Sequence, residues 1–183
     1  MVTHTDSPRR ARADGRQASR AGDVRAALDA LRRIVQGIRL SAAHAQRVTG
    51  LTGAQLFVLQ QLAEGPAQSL NELALRTRTH QSSVSTVVTR LVGRGLVSRR
   101  RAPADGRRLV LDLTPSGRAL LTDAPETAQS RLIAGLERVP RTALRTLTGH
   151  LEQLVAALGM DAEPAPLFFE SPEAAATPDR PNR

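Results

Sequence analysis

Between Gln81 and Arg90 the chain sets Gln81, Ser82, Ser83, Ser85, Thr86 and Thr89 beside a stripe of Val84, Val87, Val88, Leu91 and Val92. The apolar residues fall at i, i+3, i+4, i+7 and i+8, the period of an amphipathic helix. The opposite face carries an amide, several hydroxyls and the guanidinium of Arg90. A helix face that meets only water is usually filled with Glu, Lys and Gln, which favour helices more than Ser or Thr does. Short hydroxyl side chains let a helix approach another surface closely and exchange hydrogen bonds on arrival. Such a face suits a helix that enters a DNA groove, where base edges offer donors and acceptors.

The elements around this face must hold it steady. Ser69 and Glu72 have capping-box spacing, with Leu70, Leu73 and Ala74 facing inward, so a supporting helix precedes it. Arg76-Thr77-Arg78-Thr79-His80 breaks the period as a turn before Gln81 opens the second helix, and Gly95 is placed to end that helix in a left-handed cap. The period then changes to alternation. Leu96 to Arg101 forms one strand, Arg108 to Leu113 another, and Ala102 to Arg107 a turn-rich tip. From Arg90 to Arg108 the charges are Arg90, Arg94, Arg99, Arg100, Arg101, Arg107 and Arg108 against Asp105 alone. A helix-turn-helix followed by a basic hairpin predicts a winged helix.

Specific residues carry a family resemblance: Asn71-Glu72-Leu73-Ala74, Ser82-Ser83-Val84-Ser85, Arg90-Leu91, Gly95-Leu96-Val97, Asp105-Gly106-Arg107-Arg108, and Leu113-Thr114 with Gly117. In these, from about Val24 to Leu158, the chain resembles the MarR family of regulators. The Asp-x-Arg-Arg wing followed by the Leu-Thr-x-x-Gly helix start is the most discriminating part. The resemblance implies a homodimeric transcriptional regulator, usually a repressor, whose DNA affinity is tuned by a small ligand or an oxidant. It implies that Gln81, Ser82, Ser83, Ser85, Thr86 and Thr89 meet base edges or nearby phosphates, and that Arg90 contacts phosphate. Arg107 would reach the flanking minor groove with Asp105 orienting it, while Arg99 and Arg108 add backbone contacts. His44, Arg47 and Phe57 are the candidate effector-binding residues. The family often has Arg where this chain has Thr86, a departure that leaves base preference open and shifts weight to shape readout.

Composition bounds these expectations. The 183 residues allow one domain with tails, and the net charge is +9 with every basic residue an Arg. Arg without Lys fits a GC-rich genome as well as selection for phosphate contact, but a basic surface concentrates polyanions either way. No cysteine is present, which excludes disulfides, thiolate metal sites and the family's cysteine-based oxidant sensing. No stretch approaches the roughly 20 apolar residues of a membrane span, and the polar N-terminus lacks the apolar core of a secretion signal. The expectation is a cytoplasmic protein with no cofactor, no metal and no membrane partner.

The remaining chain divides by pattern. Residues 1–22 are Arg-rich and nearly free of apolar side chains, which predicts a disordered basic tail, either merely solvated or reaching a minor groove. Residues 23–160 form the folded region, with the winged helix-turn-helix at about 52–113 and dimerisation helices at about 23–48 and 114–159. Asp23 opens a helix with a Val24, Ala27, Leu28, Leu31, Ile34, Val35 and Ile38 stripe. Thr52 and Gln55 form a second capping box, and Leu56, Phe57, Leu59 and Leu62 pack the helix that it opens. Thr114 caps a helix with Pro115 at its first position; Pro125 kinks or splits that helix, and Asp123 with Glu126 has the spacing for a restart. Leu144, Leu147, Leu151, Leu154 and Leu158 make an a/d seam that seeks a partner helix. Residues 161–183 are Pro-rich and acidic, a disordered tail in which Leu167-Phe168-Phe169 could dock on the body, and which could compete with DNA for the basic face.

The fold class expected is therefore mainly α with a small β-hairpin wing. An enzyme is not expected: His4, His44, His80 and His150 are scattered, and no nucleophile-base-oxyanion set or phosphate-binding loop can be assembled. The function expected is sequence-specific binding of double-stranded DNA. The alternatives are a winged helix serving as a protein-interaction module, whose face should lack cations, and a non-specific DNA-binding protein.

Overall fold

A computed structural model describes residues 8–102, 105–160 and 167, with side chains for 19–100, 110–160 and 167. Its elements run α1 (Pro8–Thr49), α2 (Gly53–Ala63), α3 (Leu70–Thr77), α4 (Gln81–Gly93), β1 (Val97–Ala102), β2 (Asp105–Leu113), α5 (Pro115–Leu121), α6 (Ala128–Glu137) and α7 (Arg141–Ala157). They fall into two units, one ending at Leu40 and the other beginning at Ser41.

The first unit is the N-terminal part of α1. This helix starts at Pro8 rather than at Asp23, so the basic stretch expected to be disordered is helical from Pro8 onward; residues 1–7 lie outside the described residues. Ala and Arg dominate residues 9–21 and are both strong helix formers, while Pro8 suits a first helical position. Propensity therefore extends the helix where no apolar stripe asks for it. Along the predicted stripe, Val24, Leu28, Leu31, Ile34 and Val35 are all exposed.

The second unit is built on α2. Thr52 accepts from the Gln55 N–H while Gln55 returns a bond to the Thr52 N–H, so the expected capping box is formed. Leu56, Phe57, Val58, Leu59 and Leu62 are buried and meet Leu73 and Ala74 of α3, the Val84, Val87, Val88 and Leu91 stripe of α4, and Leu96, Val97, Leu111 and Leu113 at the base of the hairpin. Each of the valine, leucine and phenylalanine side chains among them contributes about 1.5–3 kcal/mol on full burial. The Ser69 cap of α3 differs from the expected box. Ser69 accepts from the Glu72 N–H, but the Glu72 carboxylate reaches the Gln68 N–H at 2.7 Å instead of the Ser69 N–H. Helix α3 also continues through Arg76 and Thr77, so the turn to α4 is shorter than predicted and begins at Arg78 in a left-handed conformation.

The hairpin is antiparallel with Val97↔Leu113, Arg99↔Leu111 and Arg101↔Leu109 in register. The ladder then steps to Ala102↔Asp105, which leaves Gly106, Arg107 and Arg108 as an irregular excursion on β2. The second strand therefore starts at Asp105, earlier than alternation alone suggested. Ala67 adds a one-residue bridge to Leu111, with N–H···O bonds of 2.9 and 2.8 Å in the two directions.

Beyond the hairpin, Thr114 caps α5 and Pro125 separates it from α6, as the spacing predicted. The cap of α6 is Thr127, which accepts from the Ser130 N–H, and not Asp123 with Glu126. Helices α6 and α7 hold no buried residue; Leu147, Leu151, Leu154 and Leu158 of the seam are exposed, as is the neighbouring Val155. Leu167, inside the stretch expected to be a disordered tail, is buried and joins the core cluster of this unit. Phe168, Phe169 and the rest of that acidic tail lie outside the described residues.

Candidate nucleic-acid interface

Helix α4 divides its residues as its period dictates. Val84, Val87, Val88 and Leu91 are buried, and Val92 packs half-buried against the same cluster. Gln81, Ser82 and Thr89 are exposed, while Ser83, Ser85, Thr86 and Arg90 are half-buried. Thr89 donates its hydroxyl to the Ser85 carbonyl at 2.8 Å, and Thr86 donates to the Ser82 carbonyl at 3.3 Å. These bonds use the hydroxyl protons and leave oxygen lone pairs and methyl groups facing out. A base amino group or a thymine methyl could meet them, whereas a base acceptor would have to displace the internal bond.

The start of α4 is left open. Threonine or serine side chains cap α2, α3, α5 and α6, but His80 makes no side-chain cap at α4. The first N–H groups of the helix consequently keep their hydrogen-bonding capacity, and the positive end of the helix dipole lies beside the hydroxyl face.

The cations of this region do not all serve the same purpose. Arg99 and Arg100 on β1 are exposed. Arg94, at the end of α4, points its guanidinium at the Gly50 carbonyl, with Nη1 donating at 2.9 Å. Arg90 keeps one guanidinium nitrogen buried without a hydrogen-bond partner among the described residues, a costly arrangement for a cation. Arg76 donates to the Gly65 and Pro66 carbonyls and pairs with Glu72, fastening the α2–α3 loop. The hydrogen bond from the Gln68 N–H lowers the Glu72 carboxyl from its ordinary value; burial opposes it, and the hydrogen bond and charge of Arg76 add to the lowering. Counting charge along the sequence could not separate exposed cations from these committed ones.

Asp105, Arg107 and Arg108 sit on the backbone of β2 at and beyond the register step, and their side chains lie outside the described residues, as does that of Arg101. The base of the hairpin is firmly built. Arg118 of α5 donates to the Asp112 carboxylate at 2.9 Å, and Thr114 donates its hydroxyl to the Gly95 carbonyl at 2.7 Å. Gly117 approaches so closely that a Cβ there would stand 2.2 Å from the Leu96 carbonyl oxygen. That contact accounts for a glycine at the third position of a helix.

The three candidate effector residues separate. His44 and Arg47 are exposed one turn apart at the end of α1, 3.4 Å from Nδ1 to Nη2. Phe57 is 1% exposed and packs in the core cluster around α2. Among the described residues, no helix is long and apolar enough to cross a membrane.

Comparison with known proteins agrees with the geometry. The family model of the MarR family matches residues 49–108, from the end of α1 into the wing. An HTH-type transcriptional regulator of Mycobacterium tuberculosis is 33% identical over 104 residues, covering 55% of this chain and 73% of the relative. The homoprotocatechuate degradative operon repressor of Escherichia coli is 29% identical over 106 residues, covering 58% and 72%. A solved MarR family transcriptional regulator from Streptomyces coelicolor is 26% identical, covering 77% of this chain and 99% of that one, with a TM-score of 0.46. With the family model spanning α2 to the wing, and a transcriptional regulator matched over most of its own length, this chain belongs to the MarR family of DNA-binding transcriptional regulators.

Proposed function

We propose that the protein is a homodimeric repressor that binds a pseudo-palindromic operator and is released from it by a small ligand. The observation that carries the DNA-binding mode is the outward face of α4, where Gln81, Ser82, Ser85, Thr86 and Thr89 stand opposite a buried valine stripe and beside an uncapped helix start. Those side chains meet base edges and nearby phosphates in the major groove. Arg99 and Arg108 contact the backbone, and Arg107 at the wing reaches the flanking minor groove with Asp105 orienting it. Thr86 contributes an acceptor and a methyl group to that face.

Dimerisation is supported by the apolar faces left exposed on α1 and α7, which exceed what a solvated helix ordinarily carries. Two-fold symmetry then sets the recognition helices about 34 Å apart, one helical turn of DNA. The repressor sense rests on the relatives, one of which is named for repressing a degradative operon. His44 and Arg47, exposed at the end of α1, offer an imidazole and a cation to an anionic ligand.

The test is fluorescence anisotropy with duplex DNA from upstream of the protein's own gene across a salt series, beside Arg107→Ala. Tight, sequence-preferring binding with a steep salt dependence, weakened by the substitution, is the expected result. Failure to prefer any sequence, in a selection from random duplexes as well, refutes it in favour of a protein-interaction role.

A further inference from the structure

Two arginines that flank α4 are spent on the protein itself. At the front of the helix, Arg78 occupies the turn in a left-handed conformation, φ 52°, and is the one residue other than glycine with positive φ among the described residues. Its guanidinium pairs with Glu137, the last residue of α6. Gln129 of the same helix donates to the carbonyl of Thr77, immediately before Arg78, at 3.5 Å. At the rear, Arg94 follows the last residue of α4 and donates to the carbonyl of Gly50 at 2.9 Å, between α1 and α2. Gly50 is itself left-handed, φ 66°, so its carbonyl direction is set by a tight turn. The buried stripe fixes which side of α4 faces the core, and the two arginine contacts add a fixed point near each end of the helix.

We infer that Arg78 and Arg94 are positioning residues, which tether the two ends of the recognition helix to α6 and to the α1–α2 junction and so set the angle at which it meets DNA. The inference rests on α4 being the DNA-reading helix. It assigns to these cations a role opposite to the one their charge suggests. An arginine beside a recognition helix ordinarily adds affinity for any DNA by neutralising phosphate, whereas a tether adds affinity only where the angle matters, at the cognate site.

Glu137 makes the two roles separable by sign. If Arg78 served phosphate, removing the competing carboxylate would free it, and Glu137→Ala would tighten DNA binding. If Arg78 is a tether, Glu137→Ala weakens operator binding even though it makes the protein more basic.

The experiment measures the affinity of the full chain for the operator that the wild-type protein selects from random duplexes, and for an unrelated duplex, across salt. Variants are Arg78→Ala, Glu137→Ala, their double, Arg94→Ala and Arg94→Lys. The Arg78–Glu137 pair is exposed, so each of its single variants is expected to lose about threefold to fivefold in operator affinity, and the double no more than either. Arg94→Ala is expected to lose about fivefold to tenfold, and Arg94→Lys to recover most of it because the Gly50 carbonyl accepts one N–H. Helix α4 has 13 residues and is about 20 Å long, so losses at its two ends should multiply. Affinity for the unrelated duplex and the salt slope should stay unchanged, and melting temperature should hold within about 2 °C. A salt slope reduced by about one unit, a tighter-binding Glu137→Ala, or equal losses on both duplexes would overturn the inference alone. A wild-type chain that selects no operator would overturn the DNA-binding mode and this inference with it.

Discussion

Gly117→Ala is the sharpest test of how the wing is mounted. The new methyl group would stand 2.2 Å from the Leu96 carbonyl oxygen, 3.2 Å from its carbon and 3.4 Å from Leu59 Cδ2. Ordinary contact begins near 3.4 Å, so the start of α5 and the end of the α4–β1 turn must separate by about 1.2 Å. The Leu96 oxygen also accepts from the Thr114 N–H at 3.1 Å, and that bond stretches with the movement. Overpacking of this kind costs about 1–3 kcal/mol and a weakened hydrogen bond about 0.5–1.5 kcal/mol. Against this stands the helix preference of Ala over Gly, about 1 kcal/mol in a helix interior and less in the first turn. The net is a loss of about 1–3 kcal/mol, which for a chain of this size lowers the melting temperature by about 3–10 °C. The matched control is Gly135→Ala in α6, where nothing lies within 4 Å of the added carbon and the same propensity gain should appear as a slight stabilisation. Calorimetry of both variants decides the matter. If Gly117→Ala stabilised as much as Gly135→Ala, the close approach of α5 to Leu96 would be wrong.

Glu72 gives a pH dependence with a defined sign. Its folded pKa lies below the usual 4.5, so its stabilisation is complete above that value and is lost as pH falls through the lower folded value. Glu72→Gln should therefore lower stability at neutral pH and flatten the acid side of the pH-stability profile, measured by urea titration; an unchanged acid slope would contradict the assignment. Leu167→Ala should cost about 2–5 kcal/mol, as for a core leucine, and equilibrium unfolding indistinguishable from wild type would show that Leu167 is not part of this core. Leu151→Glu and Leu154→Glu place a carboxylate on exposed α7 positions and should convert a dimer to monomer in sedimentation experiments, with persistence of the dimer ruling out that face.

Legibility tracked how local the determinant was. The face of α4 could be read because a 3.6-residue period leaves one arrangement for Val84, Val87, Val88 and Leu91. The Thr52 and Thr114 caps and the left-handed Gly95 were legible for the same reason, since each is decided within four residues. Asp123 and Thr127 are both acceptable cap residues near Pro125, and local chemistry could not choose between them. The choice went to Thr127, which is buried, in a segment where the neighbouring Pro125 carbonyl takes a hydrogen bond from Gln60 of α2. Helix α1 ran past its apolar stripe because periodicity reports packing, whereas Arg and Ala propensity continues without it. The commitments of Arg78 and Arg94 were hidden because each partner is distant in the chain, 59 residues away for Arg78 and 44 for Arg94. A charge count treats a tethered cation and a free one alike.

The bridge between Ala67 and Leu111 bears on the order in which this lobe assembles. Its two hydrogen bonds close a loop that contains all of α3, all of α4 and most of the hairpin. Closing so long a loop carries an entropic cost that two hydrogen bonds cannot meet before the helices inside it have packed. The bridge should therefore form late, after α2, α3 and α4 have condensed, and its amides should exchange with solvent only when that whole loop opens as one cooperative unit. The Ala67 and Leu111 N–H groups are consequently natural reporters of the integrity of the reading head, visible to hydrogen exchange without any DNA present.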